Sequence, residues 1–482
     1  MWHGSLRSGE FGGLSLAYLT TKLKKFISSY YMNNLNLTPI PASERRSPLT
    51  MGLVWLTMVT SFPTVLIGFE WHRQGISLSQ VVICSITSCL ILLAYAVPAS
   101  QLGARTGLGF CALSRVVFGR WGTLLITANL LWMFITFYGM TAVLMAEAVN
   151  SFLHLDISIL WMAIGFAFLM AFNNFFGFSG VANFARFFAA PALIAWVGYT
   201  FFKAAVASDV LSGVASNPQS IPHPQSIMYA LTTTSSFIIG FAVWGNEMDY
   251  WRFSKVGSLK AALALAAALL IGLVIFPVAG WLVAHSSGIT DSAAATSFMN
   301  SYSFGGLAII GLIVLFAAYF ASNDSNLFGT TAAIKSIWSI KPRLAVSLLA
   351  LCGAITAAFL STTDSIKALE VIAALNCVVM PTPTVIMLTE WFLRSKVFGR
   401  SMNFSSVPDF SDLPAFRLAF HWPALIALLS GLTVGIATSG LISSLEYLHI
   451  GICPLQAWLT SMVVYAILRK REYDRALQGS EA

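Results

Sequence analysis

Apolar stretches of membrane-spanning length follow one another along most of this chain, separated by short polar turns. A helix needs about 20 apolar residues to cross the hydrocarbon core of a bilayer, and twelve such stretches begin near residues 51, 81, 123, 157, 181, 227, 261, 305, 344, 366, 422 and 451. Several break their own pattern. The first, MGLVWLTMVTSFPTVLIGF, is interrupted by Thr60-Ser61-Phe62-Pro63-Thr64, and Pro63 there predicts a mid-span kink that frees backbone carbonyls. The sixth, LTTTSSFIIGFAVWGNEMDYWRFS from Leu231 to Ser254, has Gly240, Gly245, Asn246, Glu247 and Asp249 where an ordinary span has Leu and Val. The eighth carries Ser322-Asn323-Asp324-Ser325-Asn326, and the tenth carries Asn376, Pro381 and Pro383.

Inside a bilayer a broken helix is tolerated only where its backbone lines a cavity or is packed in protein. Its exposed amides and carbonyls make a binding site for a polar solute, although glycines also serve close helix packing. Polar runs at membrane depth are expensive and by default functional, with an interhelical hydrogen-bond clamp as the alternative. Breaks in spans 1 and 6 are separated by five spans, so the chain enters them from opposite sides. That spacing predicts an inverted five-plus-five repeat. In span 3, Phe134, Phe137, Tyr138 and Thr141 follow helical spacing on one face; alone, the stripe reads as packing.

Composition narrows the class. With 57% hydrophobic and 10% charged residues and a mean hydropathy of +0.77, the chain is a polytopic membrane protein rather than a soluble globule. Of its 27 Lys and Arg, all but Arg73, Lys203 and Lys367 fall in the tails or in the loops after even-numbered spans. The positive-inside rule then places both termini in the cytoplasm, in a plasma or bacterial inner membrane. The net charge of +8 follows from this asymmetry and implies no nucleic-acid partner. The six cysteines show no CxxC pairing and read as small buried hydrophobes, and the histidines show no metal-ligand spacing. The loop SQLGARTGLGFCALSRVVFGRWG lacks the GK[ST] of a phosphate loop.

The expected layout is a cytoplasmic tail over 1–49, five-helix repeats over 50–203 and 204–393, a cytoplasmic linker over 394–421, two additional peripheral helices over 422–468 and a cytoplasmic tail over 469–482. The segment from Met32 reads as an ordinary polar start, which leaves residues 1–31 outside it.

Four short motifs, GARTGLGFCALSRVVFG, DYWRFSK, ASNDSNLFGTTAAI and MPTPTVIMLTEW, stand in an order and spacing that resemble the nucleobase:cation symporter-1 family of cytosine and purine permeases, over roughly residues 45 to 470. The resemblance implies an all-α fold of the sodium-symporter type, with discontinuous helices 1 and 6 and two peripheral helices. It implies a planar heterocycle held between aromatics of spans 3 and 6 and read at its edge by polar groups. Carried over by position, the substrate residues are Phe62, Phe137, Gly240, Phe241, Trp244 and Asn323. The cation residues are Met58, Ser61, Ala318 and Ser322. Two departures stand out. Phe134 occupies the place where some cytosine permeases have a glutamine, which argues against cytosine itself. Ala321 replaces a hydroxyl of the sodium site, so a proton becomes the alternative coupling ion to sodium, with Glu247, Asp249 and Asp324 as its carriers, unless Asp249 pairs with Arg252.

The expected function is secondary active import of a nucleobase or similar planar heterocycle by alternating access. Partners are that small molecule and the lipid bilayer, with no obligate protein partner and no cofactor beyond the coupling ion. A permease for another small solute, such as an amino acid or a vitamin precursor, is the nearest alternative. A membrane enzyme would need a catalytic constellation that the spans do not carry.

Overall fold

The computed structural model describes residues 39–153, 155–207, 224–289, 292–303, 308–338, 340–398 and 418–481. The tail before residue 39, residues 208–223 of the loop after span 5 and residues 399–417 of the linker lie outside the described residues.

The first expected span is two helices, α1 (Pro48–Val59) and α2 (Phe62–Arg73), bent by 51° at the break. It is followed by α3 (Leu78–Thr106), α4 (Phe110–Leu153), α5 (Ile159–Leu169), α6 (Gly177–Phe184) and α7 (Ala190–Ala207). The sixth span is likewise broken, into α8 (Ile227–Ala242) and α9 (Glu247–Trp251). The chain continues through α10 (Ser258–Leu269), α11 (Phe276–Ser287), α12 (Ser292–Tyr302), α13 (Ala308–Ile337) and α14 (Pro342–Leu360). It ends with α15 (Ser365–Val379), α16 (Pro381–Phe392), α17 (Trp422–Thr438) and α18 (Cys453–Glu481). Among the described residues seven helical segments are long and apolar enough to cross a membrane, and eight when α1 and α2 count as one span. Leu90, Leu125, Leu263, Phe359 and Leu429 point outward, which is the apolar surface a bilayer requires.

Two bodies emerge from the packing. In the first, α1 lies on α10, α2 on α11, and both α8 and α9 on α3. In the second, α4 packs against α13, α14 and α5, and α5 against α14. Exchanging each span with the one five later turns the span 1 to span 7 contact into the span 6 to span 2 contact. This is the relation an inverted repeat demands. Spans 1, 2, 6 and 7 therefore form a bundle, and spans 3, 4, 8 and 9 a scaffold.

Close approach within the bundle depends on missing side chains. A Cβ on Gly68 would overlap the Pro277 carbonyl oxygen, and one on Gly280 would overlap that of Val65. Small residues at such crossings let helix backbones touch where lipid supplies no hydrophobic drive. On the basic side, α16, α17 and α18 are tied by ions. Glu390 accepts from Tyr465 Oη at 2.8 Å and Arg469 Nε at 3.1 Å, while Arg469 Nη1 reaches Glu472 at 2.6 Å. The His421 hydrogen bond, reinforced by Arg469, holds the Glu472 carboxyl down at about 2.

Gly280→Leu is expected to cost about 1–3 kcal/mol by overpacking and to lower the melting temperature of the detergent-solubilised protein. Gly165→Leu, at a glycine with open space around it, is the control and is expected to leave it unchanged. Equal melting temperatures for both variants would show that this crossing is not tight.

Candidate functional site

The two breaks leave backbone groups that must find partners inside the bundle, because none are available in hydrocarbon. At the first, Thr60 and Ser61 are extended, with ψ of 108° and 166°. The Thr60 hydroxyl bonds the Leu56 carbonyl, and the Thr64 hydroxyl donates to Ser61 O at 2.6 Å. The proline expected to kink this span instead sits in the first turn of α2, where its missing N–H costs nothing. The span is broken before Pro63, not bent at it.

At the second break the chain passes through Val243 to Asn246, and Gly245 takes φ +70° in the left-handed region that favours glycine. Its neighbours come from three places. Asn376 of α15 donates through Nδ2 to Gly240 O at 2.6 Å and Val243 O at 3.1 Å. The Thr384 hydroxyl of α16 donates to Gly245 O. The Glu247 carboxylate accepts the amides of Trp244 at 3.0 Å and Gly245 at 3.2 Å, and the Tyr95 hydroxyl at 2.7 Å.

Between the breaks lies a constricted cavity of about 20 Å³. The bundle contributes Met58, Ser61, Phe241 and Trp244; the scaffold contributes Phe134, Phe137, Thr141, Tyr319, Ser322 and Asn326; α15 and the turn after it contribute Leu369, Asn376 and Met380. No charged side chain is in this lining. Phe134 stacks on Trp244 with centroids 5.5 Å apart and 25° between planes. Among the described residues Ser61 Oγ, Trp244 Nε1 and Asn376 Oδ1 are buried without a hydrogen-bond partner. The lining thus offers aromatic faces, the unpartnered Trp244 indole N–H, Asn376 amide oxygen and Ser61 hydroxyl, and the further polar groups of Thr141, Tyr319, Ser322 and Asn326, all on a wall without charge.

The profile of a family described as permeases for cytosine/purines, uracil, thiamine and allantoin matches residues 39–467. The chain belongs to this family. Cytosine permeases of Escherichia coli K12 and O157:H7 are each 24% identical to it over 330 residues, which is 68% of this chain and 75% of theirs. Among solved structures, the nucleobase-cation-symport-1 family transporter Mhp1, closed with bromovinylhydantoin bound, matches at TM-score 0.70 and 18% identity over 90% of this chain and 94% of that one. Mhp1 facing inward matches at 0.64 and 17% over 90% and 95%. A Na+-coupled sialic acid symporter, substrate-bound and outward-open, matches at 0.61 and 12% over 95% and 98%. These likenesses show the shared fold.

The permease brings together some of the residues expected from sequence and separates others. Met58, Ser61, Phe137, Phe241, Trp244 and Ser322 line the central cavity. Phe62 and Ala318 line a neighbouring one beside Trp196, on which Phe62 packs at 5.8 Å. Gly240 presses against the Ala373 backbone. Asn323 is not in the lining: its Nδ2 bonds Tyr138 O at 3.2 Å and Met170 Sδ at 2.9 Å, clamping α13 to α4 and α5. Asn326 takes the place in the wall. Helical phase could have found it, since Tyr319, Ser322 and Asn326 are spaced i, i+3, i+7 on one face. Asn376 carried no signal beyond being polar in an apolar span.

The buried acids divide similarly. Asp249 accepts from Phe110 N and Asn246 Nδ2, both at 3.0 Å, while Arg252 Nε reaches only the Asp249 carbonyl, at 3.2 Å. The side-chain ion pair expected there is not formed. Asp324 accepts from the amides of Asn173 at 2.8 Å and Asn174 at 3.3 Å and is fully buried. Among the described residues no group of three or more His, Cys, Asp or Glu could hold a metal ion.

Glu247→Ala would leave three buried donors without their acceptor, at about 1.5–3 kcal/mol for a hydrogen bond to a charged group. Tyr95→Phe removes one bond and is expected to cost less. Thermal unfolding should rank wild type above Tyr95→Phe and Tyr95→Phe above Glu247→Ala; the reverse order of the two variants would remove Glu247 as the group that holds the break.

Proposed function

We propose that this permease imports a neutral planar heterocycle of the nucleobase class by alternating access, coupled to a proton more tightly than to sodium. The observation that carries the reading is the set of orphaned polar atoms on an uncharged aromatic wall. A flat ring with N–H and C=O groups on its edge gains from stacking beside Phe137, Phe241 and Trp244. Its edge can satisfy Trp244 Nε1, Ser61 Oγ and Asn376 Oδ1, with Ser322 and Asn326 in reach of the same space. Analogues that leave such groups unpaired are rejected strongly. Phe134 already covers one face of Trp244, so the ring lies towards Phe137 and Phe241.

The amino-acid alternative fits this lining poorly. A zwitterion needs a partner for its carboxylate, and the free amides at the span 6 break are already held by Glu247. The cavity spans the boundary between the two bodies, so rocking the bundle on the scaffold exposes it to one side and then the other. With the basic side cytoplasmic, closure over the substrate joins span 6 rings to span 3 and span 8 side chains.

Coupling follows from the donor set. Met58, Ser61 and Ser322 share the cavity, but Ala321 packs its methyl with Ala189 and Ala317. A sodium ion there lacks a side-chain oxygen, and hard cations prefer a full oxygen shell. Of the three acids, Glu247 and Asp249 hold backbone and are committed to the fold. Asp324 has only the neutral amides of Asn173 and Asn174 on its carboxyl and lies on α13 about 200° around the helix from both Ser322 and Asn326. A charge buried without a cation costs several kcal/mol, which makes proton uptake at Asp324 the economical way to change state.

Initial uptake of labelled nucleobases into proteoliposomes should saturate, rise with an inward proton gradient without sodium and depend weakly on sodium at fixed pH. Asp324→Asn is expected to abolish the pH dependence, and Ala321→Ser to strengthen the sodium dependence. Steep saturable sodium dependence in the unmodified protein would sink the proton reading. Loss of the Asn326 amide should weaken substrate binding about fivefold or more, from an unpaired buried group worth about 1–3 kcal/mol, whereas Asn323→Ala should lower thermal stability more than Asn326→Ala does. Binding of no nucleobase by the wild type would reject the substrate class.

A further inference from the structure

A second site lies on the lipid-facing surface, away from the central cavity. Helices α3, α16 and α18 diverge to leave a crevice of about 560 Å³. Each helix presents to it residues one turn apart: Ile91 and Tyr95, Leu388 and Phe392, Leu455 and Leu459. Its floor is buried, with the Tyr95 and Trp458 rings packed at 5.1 Å, while Phe392 is 60% and Leu459 50% exposed at its edges. The walls are apolar along their length.

The basic end of the crevice is cationic. Arg105 continues the α3 stripe seven residues beyond Pro98, and its guanidinium carbon stands 5.9 Å from the centre of the Trp391 ring, which belongs to the wall. Lys396 follows the wall residue Ser395. Both are exposed, and neither has an ion pair among the described residues. The acids nearby are already committed, Glu390 to Arg394 and Arg469, and Glu472 to Arg469 and His421. From Ile91 to Arg105 a helix rises about 21 Å at 1.5 Å per residue, enough to run from the surface through one leaflet of a core about 30 Å thick.

We propose that this crevice holds one anionic phospholipid, an acyl chain along the apolar walls and the phosphate against Arg105 and Lys396. The chemistry is specific at both ends: a chain without a charged head leaves the two cations unanswered, and a phosphate without a chain leaves the walls bare. The site also touches the transport machinery. Tyr95 forms its floor and donates to Glu247, the carboxylate that holds the amides of the span 6 break. The lipid therefore packs on the residue that steadies the binding site.

Native mass spectrometry of the full-length protein with phosphatidylglycerol and phosphatidylcholine of matched chains tests this. The wild type should retain phosphatidylglycerol in preference, by about fivefold for each cation near an anionic head. Arg105→Gln with Lys396→Gln, both on exposed side chains, should erase the preference. Ala94→Trp, at an exposed position of the crevice wall, should reduce retention of both lipids. Equal retention of the two lipids by the wild type, an unchanged preference in the double variant, full retention in Ala94→Trp, or displacement of phosphatidylglycerol by inorganic phosphate alone would each overturn the proposal.

Discussion

Everything in this permease depends on how two helices can be broken in the middle of a bilayer. Each break leaves amides and carbonyls that hydrocarbon cannot satisfy; the first is closed by its own Thr60 and Thr64 hydroxyls, and the second draws partners from other spans as well as its own. The sixth span takes an amide from Asn376, a hydroxyl from Thr384 and a carboxylate from Glu247, and Glu247 in turn takes the Tyr95 hydroxyl. Polar residues scattered over spans 2, 6 and 10 are thus one network around one interruption. Asn376 shows how structure and function share atoms: its Nδ2 closes the backbone of the break, and its Oδ1 remains in the wall without a partner.

The same network fixes where the cavity can be. With the span 6 break held by spans 2 and 10, the space between the two breaks and the scaffold helices α4 and α13 is an aromatic slot. Trp55 and Trp244, one from each broken span, meet edge to face with centroids 6.4 Å apart. The two broken spans therefore pack as neighbours. A ligand in the slot touches both bodies at once, the condition under which binding can bias a rocking motion.

Much of this was legible in the sequence, for physical reasons. Spans announce themselves because a helix needs about 20 apolar residues to cross the hydrocarbon core, and breaks do because Gly245 and Asn246 are poor helix formers and Pro63 belongs at a helix start. The register within a span was harder. Asn323 adjoins Ser322 in the motif but lies about 100° around the helix from it, whereas Asn326 lies only about 40° away; adjacency in sequence was a poorer guide than phase. Phe62 lines the neighbouring cavity rather than the central one because a break resets the phase, so the first residue of α2 points into a different space from the last residues of α1. The stacking of Phe134 on Trp244 joins residues 110 positions apart, and no local pattern encodes it.

Beneath the cavity, on the basic side, Phe253 lies flat on Phe178 with centroids 4.2 Å and planes 11° apart, and Phe328 meets Phe178, Phe253 and Tyr250. Tyr250 adds a hydrogen bond to Ser325 O at 2.8 Å. Tyr250 and Phe253 belong to the bundle, Phe328 to the scaffold and Phe178 to α6 beside them, so the floor is a seam rather than a wall. A gap of about 0.5–1 Å already forfeits about a quarter to a half of the dispersion attraction, and flat rings in register lose contact together. Such a seam has little middle ground: it stays sealed while the bodies are aligned and parts along its whole length when they are not. Leak through a half-open floor is what this geometry suppresses.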